Sequence, residues 1–328
     1  MGKRLVLVHG RSTKPAKAQY ARLQKEALVQ GMARIDPAKA EALRSGAVPI
    51  DFVYFGDITN RILAESDPEA RAELTERDPH SGGAPCLPVG TLHEAIDRLG
   101  RIGRFDKRAY RKVLRENKDL RFVDDIVRAV STLASLATAT LANELVIRTA
   151  TSDMGAYLMR RKIGSDVRER LQAPLRRAIR RGDDICLVSH SMGCLVAYDV
   201  LWKFSHLSEY AHVREAENPI RCWLTLGCPL GEAGVKANLY DAGERGEDRY
   251  PKRIVEHWTN VAAMDDFISH DASMRDDYRA MLKRGYVQSI KDFRIYNCFT
   301  DEGRSNPHKL YGYLANPAAI RPIADWMG

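Results

Sequence analysis

The chain has 328 residues, of which 45% are hydrophobic and 29% charged, enough to bury a substantial core in one large domain with a sizeable insertion. No run of about 20 uncharged apolar residues occurs, which excludes a clear membrane span. The formal charge of +8 is concentrated at residues 98–121 and 160–181. It is readable either as solvated helix faces or as a footprint for an anionic partner such as a lipid surface. No helix-turn-helix, zinc-finger or RNP-type signature accompanies it, so nucleic acid is not indicated.

Residues 3–8 form an apolar run rich in Leu and Val that ends at His9-Gly10-Arg11-Ser12. A continuous apolar run fits a strand buried on both faces, as in a parallel sheet. It is too short for the apolar region of a signal peptide, so the chain is read as cytoplasmic. Thr13 and Pro15 introduce a helix expected to reach about Met32. A second strand is expected at 50–55, closed by Gly56-Asp57.

Residues 57–162 break the alternation of strand and helix and are read as a helical insertion. Asp67-Pro68, Asp78-Pro79 and the stretch 80–85 mark loops. Then Phe122, Ile126, Val130, Leu133, Ala137, Leu141 and Leu145 recur at helical spacing. No charge falls between Arg128 and Glu144. Two readings stand: a helix buried in the protein, or a lid or acyl-pocket wall that also meets lipid. An oligomer contact through the same helix is compatible with both.

Alternation returns from about Ile163. A helix is expected at 165–181, stopped by Gly182-Asp183. A strand at 184–188 leads into Ser189-His190-Ser191-Met192-Gly193 and a helix at 193–204. Further strands are expected at 221–227, 254–261 and 293–299, with a polar loop at about 231–251. Asp265-Asp266-Phe267-Ile268 follows the strand at 254–261, His308 follows the last strand, and a closing helix begins near Pro317. The pattern predicts one α/β domain over 1–328, with a mostly parallel, doubly wound sheet of about six strands. The six cysteines, Cys86, Cys186, Cys194, Cys222, Cys228 and Cys298, contain no Cys-x-x-Cys pair. They are expected to be free thiols, with no metal site or disulfide framework.

The chemistry centres on the pentapeptide 189–193. Small-x-Ser-x-small between a strand and a helix holds a serine on a strained point, with its hydroxyl exposed. Ser189 stands where glycine is commoner, and serine is small enough for the turn. His9-Gly10, Ser191, Asp265/Asp266 and His308 each fall just beyond a strand, where sites of parallel α/β sheets lie.

On these residues the chain resembles the α/β-hydrolase fold, and within it lipase-like and esterase-like serine hydrolases. The similarity covers 1–56 and about 163–328. The family order of Ser, acid, His is matched by Ser191, Asp266 and His308, and its His-Gly by His9-Gly10. This implies that the chain begins at the family's third strand. Ser191 is then the nucleophile, His308 the base and Asp266 the acid, with Asp265 as second choice. Among the other histidines, His257 lies inside a strand and His270 follows the acid loop too closely to serve as base. The backbone N–H groups of Met192 and Arg11 are the expected oxyanion donors. His9 is read as a structural loop residue, and His190 as the variable residue of the turn. The implied activity is hydrolysis of a lipid-like or acyl ester without a cofactor. A thioesterase, acyltransferase or peptidase on the same residues, or a hydrolase-like binding module, are the alternatives.

Overall fold

The computed structural model describes residues 2–11, 14–66, 152–263, 266, 273–297, 299–301, 304–305 and 308–328. Its centre is a six-stranded sheet of β1 (Lys3–Val8), β2 (Ile50–Val53), β3 (Asp184–His190), β4 (Ile220–Leu226), β5 (Val255–Ala263) and β6 (Ser289–Ile295). The order across the sheet is β2-β1-β3-β4-β5-β6. Every pairing is parallel. All six carboxyl ends therefore lie along one edge.

β1 and β3 alternate strictly. Val6, Val8, Ile185 and Leu187 face one core, and Leu5, Leu7, Cys186 and Val188 face the other. A strand with apolar residues on both faces needs cover on both, and helices supply it. The first face carries α3 (Gly56–Ser66), α4 (Ser152–Met159), α5 (Arg161–Arg180) and α6 (Met192–His206). The second carries α1 (Lys17–Ala33), α2 (Pro37–Ser45), α7 (Leu310–Ala315) and α8 (Pro317–Met327). The chain leaves β1 toward β2 on one side and resumes at β3 on the other. The crevice between the ends of β1 and β3 is thus the topological switch point of a doubly wound sheet.

The expected strands at 3–8, 184–188, 221–227 and 254–261 coincide with β1, β3, β4 and β5 within two residues. Three expectations need correction. Pro15 does not open the first helix, which starts two residues later at Lys17. A helix absent from the sequence reading, α2, has Asp36 accepting from the Ala38 and Lys39 N–H groups, Pro37 at its first position and Gly46 in the left-handed conformation past its end. The last sheet strand lies at 289–295, four residues ahead of the expected 293–299. The uncharged helix expected at 122–145, most of the insertion, Cys86 and Cys298 fall outside the described residues. Among the described residues no helix is long and apolar enough to cross a membrane, and Cys186, Cys194, Cys222 and Cys228 are buried free thiols.

Candidate active site

β3 runs straight into α6 with Ser191 at the junction. Its φ of 52° and ψ of −127° lie where side chains other than glycine are strained by about 1–3 kcal/mol. Its N–H donates to the Leu226 carbonyl at 3.0 Å, which pins the turn to the end of β4. The spacing requirement is visible at Gly193, where a Cβ would lie 2.5 Å from the His9 carbonyl oxygen. At Gly10 a Cβ would lie 2.7 Å from both the Ser191 Cβ and the His190 Nδ1. The loops after β1 and β3 can approach this closely only because both positions lack side chains.

Ser189 is more than a tolerated substitute for glycine. It is fully buried, and its hydroxyl accepts the indole N–H of Trp223 at 2.9 Å. Trp223 stacks on Trp258 with ring centres 4.4 Å apart.

The three residues expected to act together are brought together. His308 Nε2 lies 2.8 Å from Ser191 Oγ. His308 Nδ1 lies 2.8 Å from Asp266 Oδ2. A carboxylate only accepts, so Nδ1 carries the hydrogen and Nε2 is left to accept from the serine hydroxyl. The Asp266 side chain is fully buried, and its Oδ2 also accepts the Tyr313 hydroxyl at 2.7 Å. Tyr313 in turn accepts the Ala263 N–H at 3.1 Å. Gly227 has a φ of +53°, and a Cβ there would lie 3.1 Å from Asp266 Oδ2 and 3.2 Å from His308 Cε1. Asp265 and His270 lie outside the described residues. His257 is held within β5, with Nδ1 3.0 Å from Ser289 Oγ.

His190 has a larger part than its position in the turn suggested. Its Nε2–H donates to the His308 carbonyl at 2.8 Å, and its ring lies 4.8 Å from the His308 ring. Burial, then the neighbouring His308, pushes its pKa well below the ordinary value. It is therefore a neutral donor that grips the backbone of His308. Neither this contact nor the one from Tyr313 has a sequence signature. Both bridge residues far apart in the chain, and the partners share a surface only once the sheet is complete.

Both ring nitrogens of His9, read as a structural loop residue, are engaged by backbone groups. Its Nδ1–H donates to the Gly10 carbonyl at 2.7 Å, and its Nε2 accepts the Phe55 N–H at 3.1 Å. Burial lowers its pKa to about 3. Of the two expected oxyanion donors, Met192 is the first residue of α6 and fully buried. The first N–H groups of a helix have no partner within it. Arg11 follows Gly10, and its Nε lies 3.4 Å from Asp153 Oδ1, whose side chain is fully buried in the first turn of α4. That ion pair ties the loop after β1 to the point where the described chain resumes.

Among the described residues no group of three or more His, Cys, Asp or Glu side chains is placed to hold a metal ion. A scan against protein-family models and searches of curated proteins and of solved structures returned no match.

Proposed function

We propose that the chain is a serine hydrolase of the α/β-hydrolase type that cleaves a carboxylic ester of an acyl or lipid-like substrate. The observation that carries this reading is the relay from Ser191 Oγ through His308 to Asp266, with 2.8 Å at each link, set on a strained strand-to-helix turn. The uncharged sequence at 129–143 and the basic stretches favour an acyl or lipid-like ester over a small polar one.

The steps follow from the donors and acceptors. Ser191 Oγ attacks the ester carbonyl carbon while its proton passes to His308 Nε2. The carbonyl oxygen takes up the negative charge and is met by the N–H groups of Met192 and Arg11. Asp266 holds the Nδ1–H tautomer and stabilises the imidazolium. Collapse of the tetrahedral intermediate breaks the bond to the alcohol oxygen, which takes the proton from Nε2. Water then repeats the sequence on the acyl-enzyme and releases the carboxylic acid.

The test is active-site labelling. A fluorophosphonate should add one adduct at Ser191, seen by intact mass, and none in Ser191→Ala. Ser191→Ala should fold normally and lose about 10⁴–10⁶ in turnover on acyl esters. An adduct at a different serine, or undiminished turnover, would remove the proposal.

A further inference from the structure

The basic stretch at 160–181 takes no part in the reaction above, yet its first residues are placed at a physical disadvantage. α5 is 20 residues long, and its positive dipole end faces Arg160, Arg161 and Lys162 in succession. No side chain caps it, and its first turn holds no acidic residue. Cations at a helix N-terminus are opposed by its dipole. Neither Arg161 nor Lys162 has an ionic partner among the described residues. An anion at this point would satisfy the backbone N–H groups, the dipole and the side chains together.

The space for one is present. A cavity of about 640 Å³ opens between the start of α5, α4 and the middle of α6. Four cations line it, Arg161, Lys162, Arg168 and Lys203, against two carboxylates, Asp166 and Asp199. Asp199 is already engaged by the Tyr157 hydroxyl at 2.6 Å and the Tyr240 N–H at 2.9 Å. Lys203 reaches Glu209 at 3.6 Å. Arg168 is only 8% exposed. Its guanidinium carbon lies 5.5 Å from the centre of the Tyr157 ring and 4.9 Å from that of Tyr240. Its nearest carboxylate oxygen, on Asp199, is 3.7 Å away, and its Nε has no hydrogen-bond partner. A guanidinium lining the cavity beside three further cations suits a tetrahedral oxyanion better than a bulky apolar group.

We propose that the cavity formed by Arg161, Lys162 and Arg168 at the start of α5 is a binding site for the phosphate group of a phosphorylated ligand, separate from Ser191. Phosphate presents several acceptor oxygens to three cations and a helix N-terminus at once. The half-exposed ring of Tyr240 stands beside it, able to cover whatever carries the phosphate.

The experiment is titration calorimetry of the full chain with sodium phosphate at constant ionic strength, balanced with chloride. One saturable site is expected. Arg161→Gln together with Lys162→Gln, both on the surface, should weaken it at least tenfold. Arg168→Lys, which keeps the charge and loses the fork, should also weaken it. Arg180→Gln, at the other end of α5, should leave it unchanged. Sedimentation with phosphatidic-acid vesicles but not phosphatidylcholine vesicles, lost in the double variant, would assign the phosphate to a lipid. Binding in solution without sedimentation would assign it to a soluble ester. Absence of a saturable phosphate signal, or equal affinity in the double variant, would overturn the proposal. The readout is binding rather than turnover, so neither outcome bears on Ser191.

Discussion

The imidazole of His308 is fixed from three directions. Asp266 takes its Nδ1–H, Ser191 meets its Nε2, and His190 holds its carbonyl while lying beside its ring. The last grip separates orientation from chemistry, because neither ring nitrogen of His190 hydrogen-bonds the serine hydroxyl. His190→Phe should keep the ring contact and lose the N–H donor. A misplacement of the base of about 1 Å is worth up to 10²-fold in rate. Labelling of Ser191 by a fluorophosphonate should therefore slow by about 10–100-fold, with circular dichroism unchanged. His190→Gln, which restores an N–H donor, should recover part of the loss. Labelling at the native rate in His190→Phe would show that the contact positions nothing.

At the scale of elements, the strand before the turn is built around Ser189. Replacing it with glycine, the commoner residue at this point of such turns, satisfies the sterics but strips the Trp223 indole N–H of its acceptor in a site closed to water. An unpaired buried donor costs about 1–3 kcal/mol. Ser189→Gly should lose that much stability in urea while Ser191 keeps its reactivity. A variant as stable as the native chain would mean that Trp223 finds another acceptor.

The same scale shows what could be read from the sequence and what could not. Strands β1, β3 and β4 stood out because each holds a run of three to five largely apolar residues buried on both faces, and β5 because Trp258, Val261, Ala262 and Ala263 are buried along it. β6 pairs with β5 alone and is one of the two edges, β2 being the other. Its Lys291, Asp292 and Arg294 break the apolar run, and Phe293 is 47% exposed. The more apolar stretch therefore lies four residues downstream, at 293–299, and shares only residues 293–295 with β6. α2 was legible in principle from Asp36-Pro37 and Gly46, but its weak apolar stripe hid it. Ser191, Asp266 and His308 were legible because each follows a strand. Tyr313 and His190 were not, since their partners lie 47 and 118 residues away.

For the whole molecule, buried titrating groups set the response to acid. Burial lowers the His9 pKa to about 3 and that of His190 well below normal. In the unfolded chain both titrate near 6.5. Below about pH 6.5 the unfolded state binds protons that the native state refuses, so stability falls as pH falls, by about 1.4 kcal/mol per unit for each histidine. Asp199 acts in the opposite sense. Burial raises its pKa to about 6 from 3.8. Between those values it is protonated in the native state only, and it offsets one histidine. The net is roughly one proton, so the chain should lose about 2 kcal/mol between pH 7 and pH 5 in urea denaturation. Asp199→Asn should steepen the loss. A flat profile over this range would contradict the sealed, neutral histidines.

The all-parallel sheet has a kinetic consequence for the serine. No two neighbouring strands can be joined by a hairpin, so every pairing waits on a crossover. Such non-local pairings are slow to form. Ser191 and His308 are separated by 117 residues, and a chain with β1 to β4 in place would hold the turn but no base beside it. On the proposed serine-hydrolase reading, reactivity toward a fluorophosphonate then works as a clock for the end of folding. In refolding from urea, far-ultraviolet circular dichroism should recover first and Ser191 labelling only afterwards, so that the labelled fraction counts finished molecules rather than compact ones.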